Sequence, residues 1–211
     1  MKYCAGLVAL LMAASFSFAA ETSTEKGWIS LFDGKTLDGW KAGGNPKSFY
    51  VEDGKLVANA VGGNAHLFYV GDVLKHDFKN FTVKADVMTT PGSNSGLYIH
   101  TQYQASDWPK KGYEIQINVS HGDPKKSGGL YGIKDCLDPP AKDNEWYTQE
   151  VTVQGKRITS KINGKLIFDY TEPDDWKNPD RRLSSGTFAI QAHDPKSKVY
   201  IKNIQVKPLD D

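Results

Sequence analysis

The stretch "GYEIQINVSHG", Gly112–Gly122, alternates strictly. Tyr113, Ile115, Ile117 and Val119 fall on one side, and Glu114, Gln116 and Asn118 on the other. A period of two is the signature of a β-strand with one buried face. The second face is unusual, because it carries one carboxylate and two amides rather than the Lys, Thr and Glu of a solvated sheet. That face is either solvent-exposed or the wall of a binding cleft.

The same period recurs on both sides of the stretch. "FYVEDGKLVAN" reads as two strands around Asp53-Gly54. "NFTVKADVMTT" places Phe81, Val83, Ala85 and Val87 on one side, and "SGLYIHTQY" sets Leu97 and Ile99 against Tyr98 and His100. "YTQEVTVQGKRITSKINGKLIFDYTE" reads as strands joined at Gly155-Lys156 and Asn163-Gly164, the second a favoured hairpin turn. "GTFAIQAHD" and "KVYIKNIQVKPL" follow. No sustained helical period follows the first residues. Short strands punctuated by Gly, Asn and Asp predict an all-β, antiparallel sandwich or barrel. Residues 101–112 and 120–145 read as long irregular loops flanking the opening strand, where function concentrates.

The chain opens "MKYCAGLVALLMAASFSFAA". Lys2 precedes an apolar run too short to span a bilayer, and small residues precede Ala19. This predicts a secretory signal peptide over 1–19, a polar lead-in over 20–27, and one domain over 28–211. The expected destination is periplasmic or extracellular, in a bacterial cell, with no membrane span after processing. Cys4 leaves with the leader. Cys136 then remains alone, so no internal disulfide is expected and a packed core must hold the fold. There are 26 Lys and Arg against 25 Asp and Glu, and Lys2 is the whole excess. That balance disfavours a general grip on nucleic acid or anionic lipid and fits a neutral carbohydrate. The oligomeric state is not legible.

Three strand faces share the unusual polarity: Tyr98 with His100, Glu114 with Gln116 and Asn118, and Gln191 with His193. If these strands are neighbours, they form one patch with a carboxylate and two imidazoles. Imidazoles near neutrality act as bases, hydrogen-bond partners or metal ligands. Trp108, in the loop before the strand, either stacks on a sugar ring or anchors the loop. Trp146 is placed with the patch, and Lys125 and Lys126 are read as solvated. His100, Glu114 and His193 form a candidate set for a divalent metal ion, against the alternative that the histidines only hydrogen-bond the substrate. No nucleophile elbow, phosphate loop, dinucleotide fingerprint or zinc-protease motif is present.

The ordered set "LFDGKTLDGW" (31–40), "NSGLYIH" (94–100), "GYEIQI" (112–117), "NEWY" (144–147), "INGK" (162–165), "FAIQAHD" (188–194) and "IKNIQVKPL" (201–209) resembles the 3-keto-disaccharide hydrolase family over nearly all of 28–209. Members often carry Arg where His100 stands and Asn where Tyr147 stands. The resemblance implies a concanavalin-like jelly-roll sandwich. It also implies cleavage of 3-keto glycosides, by hydrolysis or by elimination and hydration. Laminarinase-like glucanases on similar sandwiches carry Glu-x-Asp-x-Glu on one strand, where this chain has Glu114-x-Gln116-x-Asn118. A double displacement needs two carboxylates, so it is disfavoured. A C3 ketone instead acidifies the C2 proton, so a single base can begin elimination. Glu114, His193 and His100 are the expected catalytic groups. Asn94, Tyr98, Gln116, Gln191, Trp146 and Trp108 are the expected substrate contacts. The alternative is a lectin-like carbohydrate-binding domain without catalysis.

Overall fold

The computed structural model describes Met1 and residues 26–210. The expected leader and most of the lead-in therefore lie outside the described residues. Two antiparallel sheets form a jelly-roll sandwich, with strands numbered in chain order. One sheet runs β13 (Lys165–Thr171), β12 (Arg157–Ile162), β11 (Tyr147–Gln154), β6 (Phe81–Thr89), β15 (Lys198–Pro208), β4 (Lys55–Asn59) and β3 (Phe49–Glu52), with β1 (Ile29–Ser30) also on β15. The other runs β10 (Lys134–Cys136), β9 (Lys126–Leu130), β8 (Tyr113–Ile117), β7 (Ser95–Thr101), β14 (Thr187–Ala192), β5 (Ala65–Tyr69) and β2 (Trp40–Gly43). Among the described residues no helix is long and apolar enough to cross a membrane.

The turn chemistry is local and behaves as the sequence dictates. Asp53 and Gly54 both take positive φ, 47° and 76°, between β3 and β4. Asn163 and Gly164 do the same, at 50° and 77°, between β12 and β13. Two central residues at positive φ make the turn whose twist matches paired strands.

The core lies between the sheets. Phe188 of β14 packs against Phe78 and Phe81, with ring centroids 4.6 and 4.9 Å apart. Alternation then sends Ala189 and Gln191 to the outer face, as it sends Glu114 and Gln116 from β8. Trp40 is buried, and its indole nitrogen donates to the Leu31 carbonyl at 2.7 Å.

Two sequence readings are corrected here. The 120–145 segment is not a plain loop, because β9 and β10 lie inside it and extend the second sheet past β8. Their Gly-rich and Lys-rich composition ("KSGGL", "KDC") hides them from a propensity reading. Lys125 and Lys126 are half-buried rather than solvated. Lys126 Nζ donates to the His121 carbonyl at 2.6 Å, and Lys125 Nζ lies 3.9 Å from the centre of the Tyr131 ring.

Candidate active site

The outer face of the second sheet carries a cleft of about 540 Å³. Glu114 and Gln116 of β8, Tyr98 of β7 and Gln191 of β14 form its floor. β8 pairs with β7, and β7 with β14, so strands far apart in sequence set these side chains side by side.

Glu114 is the centre of the floor. Its Oε2 accepts from Tyr98 Oη at 2.9 Å, and its Oε1 accepts from Gln191 Nε2 at 3.1 Å. Gln191 Nε2 also reaches Tyr98 Oη at 3.1 Å. The side chain has room because residue 96 is glycine. A Cβ there would stand 2.3 Å from Glu114 Oε1. Burial pushes the Glu114 carboxyl up to about 7, opposed by the bonds from Tyr98 and Gln191 and by the charge of Arg181. Burial and the neighbouring carboxylate raise the Tyr98 hydroxyl well above its ordinary range, so it stays a donor.

Gln116 Nε2 donates to Asn94 Oδ1 at 3.2 Å, while its Oε1 is buried without a partner among the described residues. Asn118, the third polar residue of the strand, has a different task. Its amide donates to the carbonyls of Asp123 and Lys125, and its oxygen accepts from the His121 backbone. It folds the following loop back over the floor.

At one end of the cleft Asp194 joins three partners. Its Oδ2 accepts from Asn94 Nδ2 at 2.7 Å and lies 3.2 Å from His121 Nε2 and 3.3 Å from His193 Nδ1. His121 Nδ1 accepts from the Asp123 backbone at 3.1 Å, which leaves Nε2 to carry its proton toward Asp194. His193 is oriented through Nδ1 in the same way, and its Nε2 is the nitrogen left for a substrate. Trp108 covers this end, its ring edge-on to His193 at 4.7 Å and to His66 at 5.6 Å.

The expected residues divide accordingly. Glu114, Gln116, Tyr98, Gln191, Asn94, His193 and Trp108 all line one cleft. His100 does not join them. It takes φ of 53° where the pairing of β7 with β14 slips, which breaks the alternation and turns its ring onto Phe81 at 5.5 Å. There Nε2 contacts the Lys79 carbonyl at 2.9 Å and Nδ1 accepts from the Ser184 backbone at 3.2 Å. His100, Glu114 and His193 therefore do not converge on one metal ion. Among the described residues no cluster of three or more His, Cys, Asp and Glu is arranged to hold one. Trp146 also lies elsewhere, in a separate hollow with Pro139 and Asn163, under the ammonium of Lys202. Tyr147 is a core residue bonded to Ser127 Oγ at 2.9 Å. Both positions at which this chain departs from its apparent relatives thus fall outside the cleft.

The sequence reading missed His66, His121, Asp194 and Arg181. His66 was legible as an outward residue of "AHLFY", and burial under Trp108 and Tyr98 holds its imidazole near 4, hence neutral. The others sit in loops, which carry no period.

The model of the 3-keto-alpha-glucoside-1,2-lyase-like domain matches residues 27–207. A 3-keto-disaccharide hydrolase of Bacteroides thetaiotaomicron is 26% identical over 232 residues, covering 87% of this chain and 79% of its own. A candidate glycosyl hydrolase of Parabacteroides distasonis, known from its crystal structure, superposes with a TM-score of 0.71 at 28% identity, over 87% of this chain and 95% of that one. A carbohydrate binding module from Bacillus subtilis shares the fold at a TM-score of 0.56 and 13% identity, over 80% and 95% of the two chains.

Proposed function

This chain belongs to the 3-keto-alpha-glucoside-1,2-lyase-like family, and from that membership and the cleft we propose that it is an enzyme cleaving 3-keto glycosides by removing the proton at C2. The observation that carries the proposal is Glu114: one buried carboxylate, held near neutrality by burial, on the floor of an open cleft. A base matched to the working pH is what proton abstraction needs.

The Glu114 carboxylate takes the C2 proton, and the electron pair passes through C2–C3 onto the ketone oxygen as an enolate. Collapse of the enolate forms the C1–C2 double bond and breaks the bond from C1 to the glycosidic oxygen. His193, entering the step as an imidazolium with Nδ1–H on Asp194, delivers its Nε2 proton to that oxygen, and the aglycone leaves as an alcohol. Water added across the double bond then gives the free 3-keto sugar, so elimination plus hydration amounts to hydrolysis. Gln116, Asn94 and Gln191 hold sugar hydroxyls, and the Trp108 ring meets the C–H face of a sugar.

The substrate on this reading is a neutral carbohydrate oxidised at C3. Incubation of the protein with a 3-keto-disaccharide in deuterated water tests it. The expected result is aglycone release with deuterium at C2, faster than exchange of the free 3-keto sugar alone. Tight binding of unoxidised oligosaccharide with no turnover of the oxidised form would make the chain a lectin instead. We also propose that the mature chain is exported, on the strength of the 1–19 leader. N-terminal sequencing of the protein from a bacterial host should begin at Ala20, and a retained leader would refute export by this route.

A further inference from the structure

Arg181 lines the same cleft as Glu114, Tyr98 and Tyr131. Its guanidinium donates to the Tyr131 carbonyl, and among the described residues it makes no ion pair. A guanidinium carries five N–H donors, so most of its capacity is open to whatever enters. Its position is fixed by the backbone around it. Arg181 N donates to Asn178 Oδ1 at 2.9 Å, and Trp176 Nε1 donates to the Arg181 carbonyl at 2.7 Å. The neighbouring Asp180 carbonyl accepts from Gly112 N at 3.1 Å. Two residues on, Leu183 N donates to Glu172 Oε2 at 2.8 Å, and Tyr113 Oη donates to the same oxygen at 2.6 Å. The loop is thus tied to the first residue of β8, next to Glu114 in sequence.

A cation that lines a cleft with Glu114, Asp123 and Asp194 but forms no ion pair with any of them keeps donors for an anion brought by the ligand. The reaction proposed above makes one. As the C2 proton leaves, negative charge collects on the C3 oxygen, while the ground-state substrate is neutral. We propose that Arg181 is a further catalytic residue, holding the C3 oxyanion that forms as Glu114 takes the C2 proton. This rests on the reading of the cleft given above. Such a contact strengthens only as charge develops, so it belongs to kcat rather than to substrate affinity.

The test compares Arg181→Gln and Arg181→Lys with the native protein on methyl and 4-nitrophenyl 3-keto-glucosides. Arg181→Gln should lower kcat by about 10²- to 10³-fold, as loss of an oxyanion donor does, with KM changed less than about threefold. Arg181→Lys, which keeps the charge but not the fork, should fall between. The acid limb of the kcat/KM profile should also move to higher pH in Arg181→Gln, because the cation that favours ionised Glu114 is gone while Asp123, which opposes ionisation, remains. Unchanged kcat in Arg181→Gln overturns the proposal. So does a loss confined to KM, which would mean a ground-state grip on a carboxylate substituent. A lower melting temperature with no shift of the limb would reduce Arg181 to a brace on Tyr131, and overturns it too. A native protein inert on every 3-keto glycoside overturns both this role and the reading of the cleft. A native protein that turns over, beside an unimpaired Arg181→Gln, overturns this role alone.

Discussion

The Glu114 carboxylate lies between Tyr98 of β7 and Gln191 of β14. On the strand it is one polar position among three; in the fold it is 8% exposed and bonded to Tyr98 and Gln191. Its carboxyl is raised from 4.5 to about 7. As a base it works only when ionised, so turnover should rise with pH through about 7 in a pH–rate profile. Glu114→Gln should lower turnover by about 10²- to 10⁴-fold, measured on a folded preparation. The stability consequence has the opposite sign. A carboxyl whose folded pKa lies above its unfolded value favours the folded state below the unfolded value, and that contribution is lost as pH rises through the folded one. The full difference for Glu114 is about 3 kcal/mol. Calorimetry from pH 5 to 8 should therefore show Glu114→Gln gaining on the native protein as pH rises, and a gap of constant size would place Glu114 in solvent. Gly96→Ala makes the complementary case. The added methyl would stand 2.3 Å from Oε1 and 2.9 Å from Cγ of Glu114, so the carboxylate must leave its bonds. We expect a loss of about tenfold or more in kcat/KM with secondary structure retained by circular dichroism.

At the scale of elements, the loop from Gln102 to Lys111 decides how the cleft is roofed. Gln104 braces it from within: its Nε2 donates to the carbonyls of Ser106 and Trp108 at 2.8 and 2.7 Å, and its Oε1 accepts from Lys110 N at 3.1 Å. That brace holds Trp108 over His66 and His193 although the indole is 46% exposed. Trp108→Ala should weaken substrate binding by about 3- to 10-fold, the scale of one aromatic contact. It should also uncover His66, whose imidazole titrates near 4 because it is buried, and raise that value toward the ordinary 6.5. Histidine resonances followed by NMR across pH 3–8 would register the change, and an unmoved His66 would mean that Trp108 does not shield it. The slip between β7 and β14 is the other decisive element feature. It ends the alternation at His100 and turns that ring from the cleft side to the Phe81 side.

The whole molecule is a cleft-bearing sheet held in register by a second sheet behind it. Phe188 stands at the join, with Phe78 and Phe81 against one face of β14 and Gln191 and Ala189 on the other. Phe188→Ala should cost about 3–5 kcal/mol, the usual range for a large aromatic truncated in a packed core. Urea unfolding followed by circular dichroism and tryptophan fluorescence checks this. Coincident, left-shifted transitions are expected, because one core serves both sheets; separated transitions would show that the cleft sheet stands alone.

Much of this architecture is written locally. The alternation of "GYEIQI" and the paired positive-φ turns at Asp53-Gly54 and Asn163-Gly164 depend on a few adjacent residues, so most of the strands, the all-β antiparallel class and the polar face of β8 were readable from the chain. The short β9 and β10 were not, because glycine and lysine carry little strand preference of their own. The membership of the cleft was readable only in part. Alternation names which side chains leave a strand on one side, and so it reached Tyr98, Gln116, Gln191 and His193. It cannot say where the alternation breaks, and so it misplaced His100. It is silent on residues that reach the cleft from loops, and so it passed over Asp194, His121 and Arg181. The ionisation of Glu114 lay furthest beyond the sequence. A carboxyl near neutrality is made by the surface withdrawn from water around it, and that surface exists only once β7, β8 and β14 lie side by side.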